Sequence, residues 1–214
     1  MYAASPEAED AERTIARLWH VHLETIGERN PYAVRLLRIL ACYAPDDIPR
    51  DILGADGARL QVLDALRLLN SYSLVTLTED TVSVHRLIQD VVAAKDETRT
   101  DEGDSAPELA LTWLADAWAA SADLPVAERR MRRRMLSPHV ETLAFLLFGL
   151  GRLDEAETEL RAVLEVRRRV FGEEHPDTLT SRGNLASVLG NLGRLEEAEA
   201  GHRAVLEARR RVLG

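Results

Sequence analysis

Apolar residues recur at helical spacing over most of this chain. Ile15, Leu18, Trp19, His22, Leu23 and Ile26 predict an amphipathic helix over 11–26. Asn30-Pro31 opens a second helix carrying Val34, Leu36, Leu37, Ile39 and Leu40, which Pro45 stops. Ile48-Pro49-Arg50-Asp51-Ile52-Leu53 reads as a short helical turn, and Leu60, Leu63, Leu66 and Leu69, three residues apart, suit a helix over 58–70. The period then changes. Leu74-Val75-Thr76-Leu77 and Val82-Ser83-Val84 are β-branched and alternating, and Thr78-Glu79-Asp80-Thr81 between them predicts a hairpin loop. A helix from His85 to about Ala94 packs Leu87, Ile88, Val91 and Val92. Beyond 107, Leu109, Trp113, Leu114, Ala117 and Trp118 predict one more helix, and Leu124-Pro125 leads into its partner.

The C-terminal pattern repeats itself. Gly151-Arg152-Leu153-Asp154-Glu155-Ala156-Glu157 returns 42 residues later as Gly193-Arg194-Leu195-Glu196-Glu197-Ala198-Glu199. Between 151–172 and 193–214 only positions 154, 158, 159, 160, 166 and 171 differ from their counterparts. Shared helix propensity does not give identity of that order. A period in this range means stacked helical units that bury their apolar faces only against neighbours. One period upstream, Leu143, Ala144, Leu147, Leu150 and Gly151 fall on Leu185, Ala186, Leu189, Leu192 and Gly193, but His175-Pro176-Asp177-Thr178 has no counterpart in Arg134-Met135-Leu136-Ser137-Pro138-His139. Residues 107–137 therefore read as an atypical cap or connector, and 138–214 as the array.

Charge places the boundary between the two grammars. The net charge is −9, and residues 96–107 hold five acids against one base with no apolar periodicity. Residues 96–106 read as an acidic linker between a domain over 11–95 and the helical remainder. No run of apolar residues is long enough to span a bilayer and no leader pattern opens the chain, so the expected address is cytoplasmic, with no membrane partner. Cys42 is the one cysteine. It excludes an internal disulfide and reads as a buried structural thiol.

Several kinds of chemistry are not signalled. A Gly-x-x-x-x-Gly-Lys-Ser/Thr stretch is absent, so no phosphate-cradling loop is encoded and no ATP hydrolysis of that type is expected. His20 and His22 are two apart and lie on nearly opposite faces of a helix, which predicts no metal site. No Ser/His/Asp or Cys/His set stands out, and the expected catalytic residues are none. The arginine runs 129–130, 132–134, 167–169 and 209–211 each spread around a helical turn near acids such as Glu128, Glu165 and Glu207, and read as solvated surface.

Helices followed by a small hairpin are the outline of a winged helix, and duplex DNA is the first partner such a domain suggests. The charges argue against it. The candidate recognition helix offers only Arg59 and Arg67, with Asp64 between them, and the wing tip is Glu79-Asp80. Tyr72-Ser73-Leu74-Val75, the hairpin, and Val84-His85-Arg86-Leu87-Ile88-Gln89 resemble instead the winged-helix segment of bacterial STAND-type regulatory ATPases, which are related to plant NB-ARC resistance proteins and apoptotic protease-activating factors. A Met-His-Asp-like motif ends the second strand in that family; Val84-His85-Arg86 matches it at the histidine alone. The resemblance implies that His85 contacts the β-phosphate of ADP held by a nucleotide-binding domain that these 214 residues do not contain. The alternative is that His85 caps the following helix. On that resemblance the chain is expected to be a piece of a longer protein that binds ADP or ATP, with no cofactor of its own.

Gly172-Glu173-Glu174-His175-Pro176-Asp177-Thr178, Asn184-Leu185-Ala186, Leu189, Leu192-Gly193-Arg194 and Glu197-Ala198-Glu199 resemble the 42-residue tetratricopeptide repeat of the kinesin light chain type. The resemblance implies two antiparallel helices per unit and a concave groove lined by the first of each pair. Thr180, Asn184, Ser187 and Asn191, with Thr142, Phe145 and Phe148 one unit earlier, would face a protein or peptide ligand. For Phe145 and Phe148 the favoured reading is instead ordinary core against 107–122. The expected fold is mainly α, a winged helix with one small β-hairpin followed by an α-α solenoid. The expected function is non-catalytic: the repeats sense a protein or peptide and the winged helix restrains the parent's own nucleotide-binding domain. A DNA-binding transcriptional regulator and a plain scaffold are the alternatives.

Overall fold

A computed structural model describes residues 19, 21–54, 57–96 and 106–213, without the side chains of 93–96, 170, 212 and 213. Ile15, Leu18 and most of the expected 96–106 linker lie outside the described residues. The chain divides into two compact units, 1–113 and 114–214, with the division falling inside one helix.

In the first unit, helix α1 (21–29) is followed by α2 (Pro31–Ala41), with Asn30 as its N-cap. The Asn30 side chain accepts from the Ala33 N–H, and Pro31 occupies the first turn, where its missing N–H costs nothing. Strand β1 (Ile48–Pro49), a 3-10 turn over Arg50–Ile52, α3 (Arg59–Ser71), β2 (Val75–Leu77), β3 (Thr81–Val84) and α4 (Arg86–Asp96) follow. The hairpin forms as the alternation predicts, Val75 opposite Val84 and Leu77 opposite Val82. A third strand joins it: β1 pairs antiparallel with β3, giving the order β1-β3-β2. The stretch read as a helical turn is thus strand first and turn second. Its pairing is set by β3 rather than by local propensity, and Pro49 is tolerated because β1 is an edge strand.

Helix α3 also departs from its leucine pattern. Leu66 and Leu69 are buried, but Leu60 is 79% exposed and Leu63 is exposed as well. A three-residue step advances about 300° around a helix, so the leucines precess backwards, and Leu60 and Leu69 end on opposite faces. The face that enters the core is Val62, Ala65, Leu66 and Leu69, the i, i+3, i+4, i+7 set. It joins Ala33, Leu36, Leu37, Ile39 and Leu40 of α2, Val82 and Val84 of β3, and Ile88 and Val92 of α4. Cys42 is buried here, its thiol directed at the Arg38 carbonyl 3.4 Å away. Tyr43 is fully buried, donates to the Ala110 carbonyl at 2.8 Å, and has its hydroxyl pKa raised well above 10 by burial and then by nearby Cys42. Ala110 belongs to α5 (Ala106–Ala120), so the first turns of the 107–137 stretch pack with the N-terminal unit.

The second unit holds the end of α5, α6 (Val126–Gly149), α7 (Leu153–Phe171), α8 (Pro176–Asn191) and α9 (Leu195–Leu213). Helix α6 runs 24 residues straight through Pro138, so no element boundary separates 107–137 from 138–214. Its start is held by arginines. Arg129 donates to the Leu124 carbonyl, while Arg133 donates to Ser121 Oγ at 3.0 Å and lies over the Trp118 ring. From 147 onward the repeat in sequence becomes a repeat in hydrogen bonds. Gly151 and Gly193 adopt φ +75° and +78°, the left-handed turn that a side chain resists. Arg152 N–H reaches the Leu147 carbonyl and Arg194 N–H the Leu189 carbonyl, each at 2.9 Å, closing the same helix-ending motif twice. The residue after each glycine then grips the next helix: Arg152 pairs with Glu155 and Arg194 with Glu197 through two bonds each. Antiparallel pairs α6/α7 and α8/α9 result, with α8 also packed on α7. Close approach within the second pair needs Gly201, where a Cβ would stand 2.9 Å from the Ala186 Cβ.

Candidate functional site

The helices that would line the groove are α6 and α8, and the structure distributes the seven candidate residues unevenly along them. Phe145 is 51% exposed, which removes it from the core, whereas Phe148 is half-buried. Thr180, Ser187 and Asn191 are exposed, and Thr142 and Asn184 half-buried. Most of the polar members spend their donor on their own helix. Thr142 Oγ1 donates to the Pro138 carbonyl, Thr180 Oγ1 to Pro176, Ser187 Oγ to Gly183, and Asn191 Nδ2 to Ser187, all at 2.9–3.1 Å. What they offer a ligand is acceptor lone pairs and the second Asn191 N–H, on a surface beside one exposed aromatic ring.

Asn184 is different, because it ties neighbouring helices. Its Nδ2 donates to Glu141 Oε1 of α6 at 3.0 Å. The other Glu141 oxygen lies 2.8 Å from Arg167 Nη1 of α7, and that same nitrogen donates to Ser181 Oγ at 2.6 Å and the Asp177 carbonyl at 3.1 Å. Arg167 is only 7% exposed. Two charges in so dry a place persist only because each is paired and hydrogen-bonded. The network fixes the register of α6, α7 and α8, and so the spacing of any residues presented along α6 and α8.

Reading the run 167–169 as solvated surface is therefore wrong at its first member. Arg168 and Arg169 behave as expected, pairing with Glu173 and Glu165, but Arg167 points inward. A signal was present in the sequence: Glu141, Ser181 and Asn184 are polar residues at positions flanked by Val140, Leu143, Ala144, Leu185 and Ala186.

A second cluster marks the start of α8. His175 stacks on Phe171 with ring centroids 4.6 Å apart, and the Arg134 guanidinium lies 5.2 Å from the Phe171 centroid. His175 Nδ1 accepts the Asp177 N–H at 3.2 Å, so the imidazole is the N-cap. His85 does the same at the strand–helix junction of the first unit, accepting the Leu87 N–H at 3.3 Å. Its cap role is thus occupied on Nδ1, which leaves Nε2–H as the remaining donor on an exposed ring.

On the outer face Glu157 collects hydrogen bonds from Arg161 and Arg194, each at 2.7 Å. Burial alone would raise its pKa, but these two guanidinium bonds outweigh it and hold the carboxyl below the usual range. Glu159 lies the other way: burial and neighbouring Glu155 raise its pKa. An open cavity of about 370 Å³ in the first unit is lined by Arg29, Asn30, Asp64, Arg67, Leu68 and Ser71. Among the described residues no group of three or more His, Cys, Asp or Glu side chains is arranged to hold a metal, and no helix is long and apolar enough to cross a membrane.

Comparison with known proteins matches the two ends of the chain to different families. Residues 134–214 match the family model described as tetratricopeptide repeat, and residues 25–100 match a domain of unknown function, DUF7779. A Hyaloscypha variabilis protein described as nucleotide-binding leucine-rich repeat (NLR)-like is 27% identical over 194 residues, taking in 79% of this chain. The chain spans only 19% of that relative's length. Among solved structures, the nearly identical TPR-like repeats of a Podosopora anserina kinesin-light-chain-like protein, and a single-residue variant of them, are each 17% identical with a TM-score of 0.35. These overlays cover 98–99% of this chain and 99% of the other. A TM-score that low does not equate the structures, and the repeat assignment rests on the family match and the doubled helix-ending motif. The C-terminal helices are tetratricopeptide repeats, and the chain is related to an NLR-like protein.

Proposed function

We propose that this chain is a non-catalytic, protein-binding regulatory segment of a STAND-type signalling ATPase. The repeats take a protein or peptide ligand along α6 and α8, and the N-terminal unit is a winged helix that restrains the nucleotide-binding domain of the longer protein. Ligand binding then shifts a closed–open equilibrium by its preference for one state. The observation that carries this reading is the alignment to the NLR-like relative, which runs through both units of a chain whose C-terminal part is a repeat array.

Three features support it. The order α2-β1-α3-β2-β3, with β1 on the free side of β3, fits the winged-helix reading. The would-be DNA-reading helix α3 exposes Leu60 and Leu63, and its Arg67 is paired with Asp64. The wing is closed on itself, Arg50 donating to the Thr78 and Glu79 carbonyls, and its tip presents Glu79 and Asp80. A polyanion would meet acid and apolar surface there.

The test selects peptides from a displayed library on the 214-residue chain. Binding should fall at least tenfold in Phe145→Ala, and titration calorimetry should find no ATP affinity. Specific gel shifts with promoter DNA that survive moderate salt would make the chain a DNA-binding regulator instead. A ligand that leaves nucleotide exchange in the longer protein unchanged would reduce it to a scaffold.

A further inference from the structure

Helix α6 carries its charge against its own dipole. Helices α7 and α9 open on acids, Asp154 with Glu155 and Glu196 with Glu197, and end on arginines, the order that the helix macrodipole favours. Helix α6 instead holds Arg129, Arg130, Arg132, Arg133 and Arg134 near its start and no base in its last turn. Glu128 is the single acid between Val126 and Val140. On the other helices Arg161, Arg169 and Arg203 each pair with the carboxylate one turn behind, Glu157, Glu165 and Glu199. One turn behind Arg133 and Arg134 stand Arg129 and Arg130, and like charges at that spacing repel. Burial first, and then Arg129 and Arg169, lower the Arg133 pKa.

Two of these cations face outward without a counter-ion. Arg129 is spent on the Leu124 carbonyl and Arg133 on Ser121 Oγ. Arg130 and Arg134 are exposed, and among the described residues neither has a carboxylate partner; Arg134 rests over the Phe171 ring. Standing at i and i+4, their Cβ atoms are about 6 Å apart. Apolar surface lies beside them. Met131 is 67% exposed and Met135 39%, and with Pro138, Thr142 and Phe145 they form the i, i+4, i+7, i+11, i+14 line of one helical face. That face is open although helices are described on both sides of α6 in sequence.

We propose that Arg130 and Arg134 together hold the phosphoryl group of a phosphoserine-containing peptide, whose apolar neighbours lie on Met131 and Met135. A carboxylate brings one charge and leaves one guanidinium facing another. A phosphoryl group brings a charge of about −1.5 to −2 and three acceptor oxygens, which serve both. Nucleic acid presents its phosphates between sugars, with nothing apolar to cover the methionines. A second copy of α6 is the poorer fit as well, since Glu141 is committed to Arg167 and only Glu128 remains. The inference rests on the reading of α6 as a ligand-bearing helix and names what its N-terminal half selects.

The probe is a peptide library with phosphoserine fixed at its centre and degenerate neighbours, panned on the intact 214-residue chain. Its best sequence is then compared by fluorescence anisotropy with the same peptide carrying serine or glutamate at that position. Leucine, methionine or phenylalanine should be enriched beside the phosphoserine. The phosphopeptide should bind about tenfold tighter than the serine form and about fivefold tighter than the glutamate form. Arg130→Gln should remove most of both differences, Arg134→Gln should do so with circular dichroism unchanged, and Met131→Glu should abolish binding. No phosphopeptide binding, a glutamate form that binds as well, or a preference that survives Arg130→Gln overturns the proposal. So does an oligouridylate bound as tightly through the same arginines, which would assign the cluster to nucleic acid. In any of these cases, unphosphorylated library peptides that need Phe145 keep the groove reading, and their absence as well removes both.

Discussion

The two units differ in whether a buried charge holds them together. In the N-terminal unit buried polar groups end on backbone: Tyr43 Oη on the Ala110 carbonyl, Gln89 Nε2 on the Tyr43 carbonyl. The apolar residues of α2, α3, β3 and α4 close around one core, and each polar contact pins a single joint. In the array Ser121 and Ser137 likewise donate to backbone carbonyls, but a buried charge is also present and shared, Arg167 joining with Glu141, Ser181 and Asn184 to link three consecutive helices. A closed core can be completed by hydrocarbon alone. A stack has ends, and it needs directional contacts that fix how far each helix is advanced along its neighbour, because apolar ridges permit several offsets. The same difference separates what each unit offers a partner. The first presents the exposed side of α3, whereas the second presents a surface that recurs from one repeat to the next.

The sharpest way to break this comparison is Glu141→Ala. It strands a buried guanidinium, and the array should lose about 3 kcal/mol, the low end for removing one partner of a buried pair. Thermal unfolding followed at residues of 114–214 should register it, with the first unit unchanged. Tyr43→Phe leaves one buried carbonyl without its donor and should cost roughly 1–2 kcal/mol, confined to the first unit. If both variants shift both units equally, the distinction fails. His175→Ala removes the cap of α8 and the stack on Phe171, for about 1 kcal/mol, visible as faster amide exchange in the first turn of α8. The smallest effect has a sign worth checking. Burial and Glu155 raise the Glu159 pKa, so its ionised form is disfavoured in the folded state and costs stability at neutral pH. Glu159→Gln should raise the melting temperature at pH 7, and the gain should vanish once pH falls below about 4, where the unfolded carboxyl is also protonated.

The array was the more legible half. Gly151 and Gly193 announce the left-handed helix ends, Pro176 the start of α8, and Ala186 the close pairing, because each depends on local backbone chemistry. The hairpin was legible for the same reason, alternation of β-branched residues around a polar turn. Features set by tertiary partners were not. β1 exists only because β3 is beside it, and Ile48-Pro49 carries no strand period of its own. Leu60 and Leu63 look like core until the precession of a three-residue step is followed around the helix. Arg167 is indistinguishable in sequence from Arg168 and Arg169 until the acid it meets, 26 residues upstream, is known. The candidate groove was legible as a face but not as chemistry. That Thr142, Thr180 and Ser187 would turn their hydroxyls onto the preceding helical turn follows from a competition between ligand and backbone that spacing does not reveal.

The central claim is that the array, and not the N-terminal unit, is the receiving surface. Hydrogen–deuterium exchange of the 214-residue chain with and without a library-selected peptide tests it most directly. The account predicts slowed exchange along α6 and α8, around Phe145 and Asn184, with α3 and the loop at 78–81 unchanged. Protection concentrated on α3 or on that loop would contradict it.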